Sequence, residues 1–198
     1  MTKVLLTGAS GYIGKHICLQ LLSSGFEVRA SVRNKAKAEE VRSAMTTHLP
    51  AKFDLAKKLT FVELDLESDA GWNEAIAGVD VLVHSASPFP IASPKDEDEL
   101  IRPAVEGTMR AMRAAHAAGV KRVILTSSVA AIYGNDLPSG KKEFDETMWS
   151  DVTHPVGRIP YTKSKTLAEK VAWDYVATEA PAIELTTINP VLLSLIHI

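Results

Sequence analysis

The sequence predicts an α/β fold, a doubly wound parallel sheet with helices on both faces. Short apolar runs alternate with longer stretches of helical period, and parallel neighbours need such crossover connections. A glycine-spaced turn sits directly between the first apolar run and the first helical stretch. The length of 198 residues and a hydrophobic share of 46% suit one packed core and fall short of two ordinary domains.

Each element has its own signal. Residues 4–6 form an apolar run that predicts the first strand, and 12–22 carry the period of an amphipathic helix. The same pair recurs as a strand over 28–32 and a charged helix over 35–45. A strand over 59–64, a weaker helix over 72–76 and a strand over 79–83 follow. Ser93 then reads as an N-cap and Pro94 as the first helical residue, with Asp96, Glu97, Asp98 and Glu99 suited to the positive end of the helix dipole. This acidic cluster is explained by the helix start and needs no ligand. Gly119 ends that helix as a left-handed stop, and residues 123–126 form the next strand. A long irregular stretch from about Gly134 to Pro160 precedes a helix over 162–178 and a last strand over 183–188.

Composition removes several function classes. The formal charge is −2 with no long basic run, so nucleic acid is not an expected partner. Cys18 is the one cysteine; it sits among Ile17, Leu19, Leu21 and Leu22 as a buried thiol, permits no internal disulfide and fits a reducing compartment. The opening apolar run stops at Thr7, too early for a signal segment or a membrane span, and a cytoplasmic protein is expected. His16, His48, His84, His116, His154 and His197 show no paired spacing, so no metal site is expected.

The chemistry begins in the segment from Thr7 to Gly14. Gly8, Gly11 and Gly14 have the spacing that provides a tight turn, close approach of the backbone to a pyrophosphate, and close helix-on-strand packing in a Rossmann-type site. Arg33 falls at the end of the second strand, where a dinucleotide site for NAD usually has Asp or Glu and where Arg accommodates a 2′-phosphate. NADP is therefore the expected cofactor, with NAD left open. Tyr161 and Lys165 are four apart and share a helix face, while Lys163 points away. Ser127 and Ser128 end a buried strand at the edge where open α/β sheets bind ligands.

Together these motifs resemble the extended short-chain dehydrogenase/reductase family over nearly the whole chain. The resemblance rests on TGASGYIG at 7–14, Asp65-Leu66, HSASPF at 84–89, TSS at 126–128 and YTKSK at 161–165. Within the family the chain is similar to the dihydroflavonol reductase, cinnamoyl-CoA reductase and carbonyl reductase branch, through PAVEGT at 103–108, LTSSVAA at 125–131, KTLAEKVAW at 165–173 and NPV at 189–191.

The resemblance implies a reductase transferring hydride from NADPH to a small aldehyde or ketone. Tyr161 would protonate the carbonyl oxygen, Ser128 would hydrogen-bond it, and Lys165 would bind the nicotinamide ribose. Asp65 and Leu66 correspond to adenine contacts and Ser85, Ala86 and Ser87 to backbone contacts with the cofactor. Tyr12, Ile13 and Pro190 complete the implied cofactor residues. Two positions depart from the plant pattern: Tyr133 stands where flavonoid reductases commonly carry Asn, and Glu40 where a second basic residue helps hold the 2′-phosphate, leaving Lys35 or Lys37 to substitute. A general carbonyl substrate is expected in place of a flavonoid.

The alternatives are an NAD-dependent nucleotide-sugar epimerase or dehydratase and a non-catalytic NAD(P)-sensing protein. A homodimer is one expected assembly. Residues 1–192 are expected to be the dinucleotide-binding domain that also carries the catalytic residues. The final LSLIHI is what CTG TCT CTT ATA CAC ATC encodes, the pattern of a sequencing-library adapter. Residues 193–198 are therefore expected to be non-native, with a C-terminal substrate-binding region missing.

Overall fold

The computed structural model describes residues 1–88 and 95–192. In chain order the elements are β1 (Lys3–Thr7), α1 (Tyr12–Ser23), β2 (Glu27–Val32), α2 (Lys35–His48), α3 (Leu55–Lys58), β3 (Leu59–Glu63), α4 (Trp72–Ile76), β4 (Val81–His84), α5 (Asp98–Ala117), β5 (Arg122–Thr126), α6 (Pro160–Thr178) and β6 (Glu184–Ile188). All strand pairs are parallel, in the order β3-β2-β1-β4-β5-β6. The order reverses between β1 and β4, and a crevice at the carboxyl ends of those strands is where such sheets take ligands.

Strand alternation assigns each side chain to one of two cores. Leu5, Leu82 and Val123 face one layer, where Ala111, Ala115, Ala172 and Tyr175 of α5 and α6 cover them. Val4, Leu6, Val28 and Ala30 face the other, against Cys18 and Leu22 of α1 and Val41 and Met45 of α2. Burial pushes the Cys18 thiol up to about 12, so it stays protonated and unreactive at neutral pH. No helix among the described residues is long and apolar enough to cross a membrane.

The predicted doubly wound sheet is present, and its boundaries differ in instructive places. The helix expected to open at Ser93-Pro94 starts at Asp98; Ser93 and Pro94 lie outside the described residues. Asp96 Oδ1 accepts the Asp98 N–H at 3.0 Å, a local side-chain turn that competes with helix and leaves only Asp98 and Glu99 acidic in the first turn. Gly119, at φ +73°, closes α5 as expected, with its N–H donating to the His116 carbonyl. Helix α6 begins at Pro160, whose fixed φ suits the first turn, so Tyr161 lies inside the helix. Neither α3 nor the 3-10 turn Val129–Ala131 was expected, being too short to show a period.

The β1–α1 turn is the tightest packing in the sheet's centre. Gly8 has φ +70°, and a Cβ on Gly14 would lie 2.1 Å from the Gly8 carbonyl oxygen. In an ordinary helix Gly→Ala stabilises by about 1 kcal/mol. Here the clash is with backbone and reverses the sign: Gly14→Ala should lower the unfolding free energy by roughly 1–3 kcal/mol, measured by urea denaturation. A neutral or stabilising result would contradict this close approach.

Candidate active site

Two cavities of about 810 and 600 Å³ open at the sheet's carboxyl edge and share Gly8, Gly11, Ser85 and Ser87 in their walls. The first lobe also meets Arg33, Asp65, Leu66 and Ala86, and the second Tyr12, Ile13, Gly14, Ser128, Tyr161, Lys165 and Pro190. Arg33, the three glycines and every residue to which the resemblance gives a catalytic or cofactor role thus line one lobe or the other, whereas Lys35 and Lys37, the substitute phosphate partners, line neither. They do not form one cluster: Arg33 and Asp65 sit at the β2–β3 end and Tyr161 and Lys165 at the β5–β6 end, the separation an elongated ligand requires.

The shared floor is built for a phosphate backbone. A Cβ on Gly8 would lie 2.8 Å from the Ala86 backbone, whereas one on Gly11 would meet only the Gly8 carbonyl oxygen, at 3.3 Å. Gly11 therefore leaves open space on the crevice side. It is also the N-cap of α1 without a side-chain cap, so the first-turn N–H groups are left for a ligand at the positive end of the helix. These features fit a dinucleotide.

Thr7 organises the neighbouring loop. Its Oγ1 accepts the Ser85 and Ala86 N–H groups at 3.1 Å each and lies 2.9 Å from His84 Nδ1. With both acceptor sites taken, the hydroxyl proton goes to Nδ1, and the imidazole is neutral with its proton on Nε2. Burial first, and the charge of Lys165 second, lower His84 from 6.5 to about 4, in keeping with that neutral state.

In the first lobe, Arg33 is exposed and pairs with no group among the described residues. Lys37, expected as one substitute phosphate partner, instead donates to Glu40 at 2.7 Å, and that bond holds the Glu40 carboxyl below its usual range. Leu66 is packed on Gly107 and held by Arg110 Nη1 donating to its carbonyl at 2.7 Å.

In the second lobe, Lys165 Nζ donates to Ser87 Oγ at 2.9 Å and stands 5.8 Å from the centre of the Tyr161 ring. Burial lowers the ammonium to about 8, against an opposing pull from Glu169. Lys163 points away, bound to Glu97 at 2.7 Å. Ser128 caps the 3-10 turn, accepting the Ala130 N–H at 3.2 Å, which leaves its own proton free to donate into the cavity. Capping and ligand contact are therefore compatible. Ser127 also lines the lobe, with a buried hydroxyl that has no partner among the described residues.

Residues 4–193 match the family model described as NAD dependent epimerase/dehydratase family. The chain belongs to the NAD dependent epimerase/dehydratase family. Relatives of this epimerase/dehydratase chain include a dihydroflavonol 4-reductase of Hordeum vulgare, 35% identical over 195 residues, covering 96% of this chain and 52% of the relative. A ketoreductase of Aspergillus niger is 35% identical over 198 residues, covering 96% and 56%. Among solved structures, the yeast methylglyoxal/isovaleraldehyde reductase complexed with NADPH superposes with a TM-score of 0.79 at 28% identity, covering 96% of this chain and 58% of that one. The chain spans about half the length of the curated relatives it matches.

Sequence reasoning passed over Ser10 and Ser31 in the walls, Thr7 beneath the loop, and Glu169 and Asn189 behind Lys165, and it gave Ser127 no role beside Ser128. Glu169 had a readable signal, since it lies four residues beyond Lys165 on the same helix.

The buried His84 makes stability depend on pH in a defined window. Between pH 6.5 and 4 the unfolded chain takes up a proton that the folded state refuses, so stability is full above 6.5 and falls as pH drops toward 4. The loss should be about 3 kcal/mol, read from denaturation midpoints across the window. His84→Asn keeps an acceptor for Thr7 and cannot titrate, so its profile should be flatter; identical slopes would contradict a neutral buried imidazole.

Proposed function

We propose that this chain is part of an NADPH-dependent reductase that converts an aldehyde or ketone to an alcohol. The observation that carries the reading is the single cavity lined by Ser128, Tyr161 and Lys165, sharing its walls with the glycine turn at the start of α1. The named reductases among the relatives support it. Bound NADPH would supply the hydride to the carbonyl carbon.

The chain's own residues would hold the substrate oxygen and the proton. The Tyr161 phenol, a stronger acid than the product alcohol, donates its proton to the developing alkoxide and is left as phenolate. The Lys165 ammonium stabilises the resulting phenolate, lowering the cost of that transfer. Ser128 directs a hydroxyl at the same oxygen as negative charge builds there. Gly8, Gly11, Tyr12, Ile13 and Gly14 would hold the pyrophosphate, Asp65 and Leu66 the adenine, and Arg33 the 2′-phosphate. Ser85, Ala86 and Ser87 would contact the cofactor through their backbone, and Lys165 and Pro190 would hold the nicotinamide end. The Lys37–Glu40 pair leaves Arg33 as the principal phosphate partner. A cytoplasmic homodimer completes the reading.

Two measurements on the intact protein test it. Tyr161→Phe keeps the ring and removes the transferable proton, so NADPH consumption with an aldehyde panel should fall at least ~10²-fold while NADPH affinity changes little. Unchanged turnover would remove Tyr161 from the mechanism. Arg33→Asp sets a like charge against the phosphate, so NADPH should weaken more than ~10-fold and NADH much less, by fluorescence titration. Equal losses would show that Arg33 does not read the 2′-phosphate.

A further inference from the structure

Glu169 is a buried carboxylate that the proposed chemistry does not use. It is 5% exposed, and a carboxylate taken out of water is costly unless its oxygens meet donors and its charge meets an opposite one. The donors are in place, and the opposite charge that it acts on is Lys165, one turn earlier on α6. Oε2 accepts from Asn189 Nδ2 at 2.8 Å, and the Trp173 indole N–H reaches toward Oε1 at 3.4 Å. The same Asn189 amide donates to the Ser128 carbonyl at 3.2 Å. Tyr161, Lys165 and Glu169 fall on successive turns of α6, four residues apart.

We propose that Glu169 is a positioning residue of the reductase site: it supplies the counter-charge for the buried Lys165 ammonium and, through Asn189, clamps the turn that presents Ser128. The inference rests on the reading of Ser128, Tyr161 and Lys165 given above. The two halves of the site lie on different elements, Lys165 on α6 and Ser128 after β5, and the Glu169–Asn189 bridge, neither of whose residues lines the cavity, joins them. Asn189 follows β6 directly, so the bridge also fixes the exit of the edge strand.

The surroundings of Lys165 leave Glu169 as the group that sets its charge. On α6 it faces Tyr161 and Glu169; from β4 it faces His84, which is held neutral. Glu97, beside α5, is engaged by Lys163. Burial pulls the Lys165 ammonium down to about 8 and Glu169 opposes that pull. Without the carboxylate, the ammonium would lose its proton nearer neutrality, and with it the stabilisation of a Tyr161 phenolate.

The direct test is the titration of Lys165 itself, followed in the intact protein as the pH dependence of its reductive methylation, read by mass spectrometry. The wild-type midpoint should lie near 8. Glu169→Gln preserves an acceptor for Asn189 and removes only the charge, so the midpoint should drop by about one pH unit. Glu169→Asp keeps the charge and should stay near wild type. A Glu169→Gln midpoint equal to wild type, or an Asp variant that drops as far as Gln, overturns the counter-charge. Asn189→Ala cuts the bridge and keeps the carboxylate: the midpoint should hold while kcat falls ~10-fold through the loosened Ser128 turn. A kcat within about twofold of wild type overturns the clamp. The alkaline limb of kcat for aldehyde reduction should move with the methylation midpoint. If the midpoint moves and the limb does not, the coupling of Glu169 to Lys165 stands and the catalytic assignment of Lys165 is what fails.

Discussion

The Thr7 hydroxyl ties together the two strands between which the ligand crevice opens. At the end of β1 it takes the N–H groups of Ser85 and Ala86 and gives its proton to His84, all from the chain leaving β4. That one atom fixes the loop whose Ser87 receives Lys165, and whose Ala86 backbone lies so close to Gly8 that no side chain fits between them. Replacing the hydroxyl with a methyl would leave two part-buried N–H groups unpaired, a cost that packing cannot recover. The neutral imidazole beneath follows from the same arrangement, because the donor role of Thr7 requires a lone pair on Nδ1.

Around this hub the second half of the site is held by elements of quite different character. Helix α6 provides Tyr161 and Lys165 by spacing alone, and its start at Pro160 sets where that spacing begins. Ser128 is mounted on a 3-10 turn that a long irregular segment secures from outside. Ser150 Oγ accepts the Gly134 N–H and donates to the Ala130 carbonyl, both at 2.7 Å. A Cβ on Gly157 would lie 1.7 Å from the Asp151 carbonyl oxygen, so this segment folds back tightly on itself. Its lack of regular structure therefore does not mean a lack of packing; its backbone groups are satisfied by Ser150, Asp151 and Asn135 where strand or helix partners are missing.

The sheet and the ligand crevice were legible in the sequence because their signals are local. Apolar runs mark the strands, and Gly8, Gly11 and Gly14 mark a turn whose geometry only glycine tolerates. Tyr161 and Lys165 were legible for the same reason, since four residues of helix bring them onto one face. What could not be read was set by contacts distant in sequence. Asn189 meets Glu169 only after β6 has entered the sheet beside β5, and Thr7 meets His84 across 77 positions. Lys37 was expected to be available for a phosphate, yet a neighbour three residues on, Glu40, takes its charge. The start of α5 shifted because Asp96 competes for the backbone there, and propensity alone does not say which of several acidic residues will cap.

The family model is named for epimerases and dehydratases, whose reactions leave no net change of oxidation state, so the fate of the hydride is the deciding quantity. It can be followed by incubating the intact protein with NADPH deuterated at the transferable position of its nicotinamide, together with a panel of aldehydes and ketones, and examining the products by mass spectrometry. A carbonyl reductase places one deuterium on the carbinol carbon of the alcohol and consumes cofactor in equal measure. Cofactor that remains unconsumed, or product without deuterium at that carbon, would contradict a reductase.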